Sequence, residues 1–347
     1  MRRILFVNTY YDKFLNSQPL SPSRSYAENL QQRINSRFGD SDFYSYWLKN
    51  LGWDSIDIIA NDQFLQQQWC NENGCNSSNL LETFIFQIMA LKPSIVYFQD
   101  ISLLSDDVSR FLHSNNIKVC GQHASPIPPN FNIKNVDLFI SSMPHLVDMA
   151  CANGAKALHL PLAFDHRVLK EASSLAWDVR SDGGFVGGFT QSHTSGVELI
   201  LSAIKKFPSL SLYGYGWDQS LVAMLNGIPW RGEAWGLNMF SLLGGWKISL
   251  NRHIDMSGMH ANNMRLYETT GMGALLLTDK KQKNNLFSSD VEMVEYENIP
   301  DLKEKITYLM ANPTKAHEIA EHGQKKTLSA HTYQIRMLEL SESLSRL

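Results

Sequence analysis

The sequence predicts an α/β protein of two doubly wound domains facing a cleft, each a parallel sheet with helices on both sides. Three observations carry that expectation. The chain has 347 residues, more than a single core of the usual roughly 100–200 residues accommodates. Short apolar runs, β-branched or aromatic and closed by polar or Gly/Pro-rich residues, recur between helical stretches, as expected of strands buried on both faces. These runs fall into two series, so strand and helix signals alternate twice over.

The first series lies at 4–7, 56–59, 95–98, 118–120, 138–140 and 157–160, and the second at 184–187, 210–213, 247–250, 274–278 and 292–294. A charged helical stretch, 168–177, separates them. The division expected is 1–168 for the first domain and 169–330 for the second. Near the C-terminus, Asp301 with Glu304 three positions on reads as a helix cap, and Asn312-Pro313 as a cap followed by a first helical residue. The last segment, 331–347, carries Tyr333, Met337, Leu340, Leu344 and Leu347 at spacings of four and three. That apolar stripe must be buried, either against the first domain or in a dimer seam.

With 44% hydrophobic and 19% charged residues, the composition excludes disordered and fibrous classes. A net charge of -3 without a long Lys/Arg run argues against a nucleic-acid partner, since few cations are available for a phosphate backbone. No apolar run approaches the ~20 residues that cross a bilayer, and 1–7 is too short for a signal-peptide core. A cytoplasmic protein is expected. Cys70, Cys75, Cys120 and Cys151 show no metal-ligand spacing and read as reduced structural thiols.

In doubly wound domains ligands sit beyond the C-terminal ends of strands. The turn Gly187-Gly188-Phe189-Thr190-Gln191-Ser192 opens the second domain, and Gly188, Thr190 and Ser192 suit phosphate oxygens at a helix N-terminus, although plain turns have the same look. Tyr215, in Tyr213-Gly214-Tyr215-Gly216, offers a face on which a nucleoside stacks or an interface packs. Asn251 and Arg252 follow a strand, with Ser249 and His253 beside them, and reach toward base or phosphates. Asn262-Asn263-Met264-Arg265-Leu266-Tyr267-Glu268 reads as the start of a short helix. Arg265 and Glu268 share its face. A guanidinium suits a diphosphate and a carboxylate suits ribose hydroxyls, while the same spacing also makes an ordinary ion pair.

In the first domain His123 follows a strand and precedes Pro126. A histidine titrates near neutrality and can take a proton from an acceptor hydroxyl. Asp12 and Asp100, each after a strand, and Asp165 between the domains are alternative bases. Asp40-Ser41-Asp42 has the letters of a metal-binding motif but reads as a turn feeding a helix at Phe43. With Arg265 and helix N-termini available for the diphosphate, no metal is expected.

The stretch from Asn262 through Gly271-Met272-Gly273 to Asp279 resembles the C-terminal domain of GT-B glycosyltransferases, and within them the spore-maturation (CgeB-like) group. That group carries an Arg-x-x-Glu helix, a small-residue turn and a hydrophobic strand. Leu286-Phe287, Val294-Glu295-Tyr296, Asn312-Pro313 and His331-Thr332-Tyr333 with Arg336 extend the likeness over about the last hundred residues, and the first half follows in outline. The resemblance implies two Rossmann-like domains and a nucleotide-sugar donor such as a UDP-sugar. Glu268 would then hold the ribose and Arg265 the diphosphate, with Asn263 among the donor-binding residues, and a glycan or other hydroxyl would be the acceptor. Where many retaining members carry a second Glu, eight positions before Glu268, this chain has His260, so stereochemistry stays open. A nucleotide-sugar epimerase and a non-catalytic binding partner are the rival readings.

Overall fold

The structure, a computed structural model, describes residues 2–175, 181–189, 194–216, 225, 227–228, 230–253 and 257–347, with no side-chain detail at 194–196. The chain forms two compact units, Met1–Pro161 with Tyr333–Leu347, and Leu162–Thr332. The division therefore falls at Pro161 rather than after 168. The reason is local: Phe164 forms a parallel bridge with Thr332, and its N–H donates to His331 O (2.9 Å).

The first unit holds β1 (Arg3–Asn8), β2 (Asp54–Ile59), β3 (Ile95–Phe98), β4 (Lys118–Gln122), β5 (Leu138–Ser141) and β6 (Ala157–His159). All pair in parallel, in the order β2-β1-β3-β4-β5-β6. Val7 stands opposite both Ile58 and Phe98. Ile4, Leu5 and Phe6 are wholly buried, which is why β1 reads as a continuous apolar run. Its helices are α1 (Asp12–Ser17), α2 (Tyr26–Asn35), α3 (Phe43–Asn50), α4 (Gln63–Glu72), α5 (Leu80–Leu91), α6 (Asp106–Ser114) and α7 (Pro144–Ala152). A Ser25/Glu28 capping box starts α2, satisfying backbone donors that a helix end leaves open.

The segment Asp40-Ser41-Asp42 is a turn into α3. Asp42 occupies the N-cap position and pairs with Arg37 (2.6 Å), and Asp40 accepts from Tyr333 Oη (2.8 Å). The terminal helix, Tyr333–Ser345, packs on α3 within this unit. Trp53 Nε1 donates to Ser341 Oγ (2.9 Å) and Arg336 Nε to Pro161 O (3.1 Å). The stripe Tyr333, Met337, Leu340 and Leu344 is buried. Cys70 and Cys75 are joined as a disulfide, against the expectation of four free thiols. The turn that ends α4 carries Cys75 N back to Cys70 O (2.9 Å) and so brings the pair together.

Asp57 of β2 lies inside this unit beside Ser45 Oγ, which donates to it. Burial pushes its carboxyl up to about 7, with Ser45 opposing and Asp42 reinforcing the shift. The native state thus keeps a proton that an unfolded aspartate, with a pKa near 4, has already lost. Stability should fall as pH rises through the window from about 4 to 7. Asp57→Asn should flatten that slope, by an amount on the order of 3 kcal/mol across the window. Urea denaturation of both proteins at pH 4.5 and 7.5 measures this, and parallel slopes would refute it.

The second unit holds β7 (Gly183–Gly188), β8 (Leu210–Tyr215), β9 (Ile248–Leu250), β10 (Leu275–Asp279) and β11 (Val294–Tyr296) in a parallel sheet, order β11-β10-β9-β7-β8. Around it stand α8 (Arg167–Ser173), α9 (Thr194–Lys206), α10 (Gly236–Gly245), α11 (Met264–Met272), α12 (Ile299–Ala311) and α13 (Pro313–Ala330). The expected 168–177 helix is α8, which packs on α10; residues 176 and 177 lie outside the described residues. Asp301 is not the cap of α12. Asn298 is, its Oδ1 accepting Asp301 N–H (3.0 Å), while Asp301 accepts from Glu297 N–H (2.8 Å). Asn312 does precede α13, with Pro313 as its first residue, but its side chain turns back to Tyr308 O (2.8 Å).

Candidate functional site

The sheet order of the second unit reverses between β7 and β9, the point at which doubly wound sheets accept ligands. The C-terminal ends of β7, β9 and β10 and the start of α11 carry most of the predicted donor-side residues. Gly188 closes β7, and a Cβ there would meet the Tyr215 ring at 2.9 Å. The glycine thus admits the ring against the strand end. Tyr215 itself packs on Trp235, ring centroids 4.6 Å apart. Thr190 and Ser192 lie outside the described residues.

At the end of β9, Asn251 is buried and committed: Nδ2 donates to Thr278 Oγ1 (3.0 Å), and its carbonyl accepts from Tyr296 Oη (2.6 Å). It ties β9 to β10 and β11. Asn263 joins two predicted residues. As N-cap of α11 its Oδ1 accepts Arg265 N–H (2.8 Å), and its Nδ2 donates to Arg252 O (3.0 Å). This cap fixes where α11 begins and therefore where Arg265 and Glu268 project.

Those two side chains meet, Arg265 Nη1 lying 2.7 Å from Glu268 Oε2, with only 14% and 10% of their side-chain surfaces exposed. The pair is therefore not the exposed helix pair that is worth a few tenths of a kcal/mol. Burial raises the Glu268 carboxyl, and the Arg265 guanidinium opposes that rise. Such a pair can accept hydroxyl hydrogens at the carboxylate and present N–H groups to an anion. His260, at the position of the second Glu, bridges to Lys283.

One arrangement is absent from the sequence-based expectations. Asp279, the last residue of β10, accepts from His253 N–H (2.6 Å) and stands 2.8 Å from His253 Nδ1. Burial works to raise the Asp279 carboxyl, but the hydrogen bonds from His253 and the Lys281 charge outweigh it and hold it below the usual range. The register aligns Leu250 with Leu277, so residues just beyond each strand end are neighbours. A polar residue after each of two adjacent apolar runs was the available signal.

In the first unit the ends of β3 and β4 bring Asp100 and His123 together, Oδ1 to Nδ1 3.6 Å. His123 Nε2 lies 3.0 Å from Pro126 O and from Ser125 Oγ. A carbonyl can only accept, so Nε2 donates to Pro126 O, and Nδ1 is the nitrogen that faces Asp100. Burial works to raise the Asp100 carboxyl, yet hydrogen bonds from His123 and Ser102 hold it below its ordinary range. Asp12 lies exposed in the first turn of α1. Asp165 is fully buried and bound to Arg167 (2.7 Å), which commits it to the fold. Among the described residues no group of three or more His, Cys, Asp or Glu could hold a metal. No helix among them is long and apolar enough to cross a membrane.

Residues 193–342 match a family described as Glycosyl transferase-like. No curated protein matches the chain. Among solved structures, Anabaena HepE in complex with UDP-glucose superimposes with a TM-score of 0.65 at 12% identity, covering 100% of both chains. A glycosyltransferase from Rickettsia africae gives 0.59 at 14% identity over 98% of this chain and 97% of its own. Sucrose-phosphate synthase from Thermosynechococcus elongatus gives 0.59 at 11% over 100% and 99%. The fold is the two-domain, Rossmann-like GT-B fold, and the family match supports the glycosyltransferase class.

Proposed function

We propose that this chain is a metal-independent glycosyltransferase of the spore-maturation (CgeB-like) type. It moves a sugar from a nucleoside-diphosphate sugar, with uridine as the favoured base, to a hydroxyl of a glycan or related acceptor. The reading places it in the cytoplasm, in surface-polysaccharide or glycoconjugate synthesis. The observation that carries it is the buried Arg265/Glu268 pair, capped by Asn263 beside the β7/β9 reversal and inside the segment that matches the glycosyl transferase-like family.

In this reading Glu268 accepts the ribose hydroxyls, and Arg265 faces the diphosphate with Arg252 near it. Gly188 and the α9 N-terminus support the leaving group as charge develops on it. His123 takes the acceptor proton, with Asp100 beside it compensating the charge that forms on the ring. Asp12 is the reserve base.

A melting screen with UDP, GDP, dTDP, CDP and CMP, with and without EDTA, tests the proposal. One nucleoside diphosphate should raise the melting temperature whether or not EDTA is present. At a hundred times its Kd a ligand adds about 2.7 kcal/mol to the folded state. No shift with any of them would sink the donor-site reading, and a shift abolished by EDTA would sink metal independence. Release of free nucleotide only when an acceptor is present would exclude an epimerase.

A further inference from the structure

We propose that His253 touches the donor, its Nε2 bonding a terminal-phosphate oxygen of the diphosphate as the sugar leaves. This rests on the nucleotide-sugar reading above and adds to it a residue and a partner atom.

The ring is held at one end only. Asp279 Oδ1 accepts from the His253 backbone N–H at 2.6 Å and lies 2.8 Å from Nδ1, so main chain and ring are fixed on the same carboxylate oxygen. The two nitrogens of an imidazole present their hydrogen-bonding directions at a wide angle, so one partner does not serve both. Asp279 ends β10, and β9 lies between β10 and β7. With Nδ1 anchored on Asp279, Nε2 is left for another group, just beyond the end of β9, the strand that borders the β7/β9 reversal where ligands are accepted. Nε2 is buried and has no hydrogen-bond partner among the described residues. His253 as a whole is 2% exposed. Buried polar atoms are nearly always paired, and the described residues supply no partner here. The same loop holds a second such atom, Ser257 Oγ. Two orphaned polar atoms just beyond β9 mark a place where an external group completes the hydrogen bonding.

The surrounding charges select the kind of group. Asp279 faces the ring from the end of β10, and Lys281 stands 3.6 Å from the same carboxylate. Arg252 adjoins His253 in sequence, and Tyr296 of β11 bonds the Asn251 carbonyl. A carboxylate behind Nδ1 balances a positive charge on the ring, and a charged ring offers N–H at Nε2. The partner is then an acceptor, and an anionic phosphate oxygen fits it. As the sugar carbon parts from that oxygen, the bonding pair stays on the oxygen and the His253 N–H strengthens its bond to it. The sugar carbon bonds the acceptor oxygen, whose proton passes to the general base of the transfer.

Calorimetric titration of UDP and UMP into the wild-type protein and the His253→Ala, His253→Gln and Asp279→Asn variants tests this. His253→Ala and Asp279→Asn should weaken UDP binding roughly tenfold or more while leaving UMP within about twofold. His253→Gln keeps an N–H near the Nε2 position and should recover part of the loss. Equal weakening of UDP and UMP would show a structural role and overturn the proposal, as would unchanged UDP affinity in His253→Ala. Melting curves separate misfolding from lost binding, and Asp279→Asn, which leaves His253 in place, supplies an independent reading. If the melting screen selects another base, its diphosphate and monophosphate replace UDP and UMP. If the wild-type protein binds no nucleoside diphosphate, the donor reading fails and this proposal fails with it. If it binds one but His253→Ala binds it equally well, only the present proposal fails.

Discussion

Arg265→Ala should destabilise the protein by about 3–5 kcal/mol, the usual consequence of removing one partner from a buried ion pair. It should also weaken nucleoside-diphosphate binding about tenfold to a hundredfold. Both side chains are about nine-tenths buried and 2.7 Å apart, so Glu268 would be left with a desolvated charge. Burial already raises its carboxyl, and Arg265 is the group holding it down. Without the guanidinium, Glu268 takes up a proton instead of keeping an unpaired charge. The sign follows: a carboxyl raised above its unfolded value loses stability as pH climbs from its unfolded toward its folded value. The variant should therefore be closer to wild type at pH 5 than at pH 8. Adding Glu268→Gln to Arg265→Ala removes the stranded charge and should restore most of the stability without restoring binding. Urea denaturation at the two pH values and UDP titration read the two effects separately. If the double variant recovered binding as well, the pair would be a structural element and the donor reading would lose its main support.

How much of this site the sequence displayed depends on how far apart its parts lie. Strands were legible because each is a short apolar run buried on both faces; the runs at 4–7, 95–98 and 210–213 all lie within strands. Arg265 and Glu268 were legible because helical spacing alone places them together. His253 and Asp279 are 26 positions apart, and only the alignment of β9 with β10 makes them neighbours. Asn251 was legible as a residue that follows a strand, but its tertiary bonds to Thr278 and Tyr296 were not. Asp301 was misread for a smaller reason. Asn and Asp are both strong caps, and which one takes the role depends on where the backbone turns helical at Ile299, a boundary that composition does not fix.

Gly184→Ala should be among the most damaging small substitutions in the second unit. A Cβ on Gly184 would lie 2.0 Å from the Ser211 carbonyl oxygen, and one on Gly183 would lie 1.9 Å from that of Ile248. Both obstacles are backbone of the strands flanking β7. A side chain can rotate aside, but a paired strand moves only by breaking its ladder, and each buried backbone group left unpaired costs about 1–3 kcal/mol. Gly187 supplies the comparison within the same strand. Its added Cβ would meet the Phe185 ring at 2.9 Å, an obstacle that can yield by a rotation, so Gly187→Ala should cost about 1–3 kcal/mol, the range for an overpacked core. Gly184→Ala should exceed about 4 kcal/mol, a size reserved for a named structural conflict. Hydrogen exchange locates the damage: amides of β7, β8 and β9 should lose protection in Gly184→Ala, while those of β1 and β3 keep theirs. Equal, mild effects at both glycines would mean that the strands flanking β7 can separate at little cost. In that case the β7 end would be too loosely held to fix Gly188 beside the donor, and its assignment to the leaving group would fall.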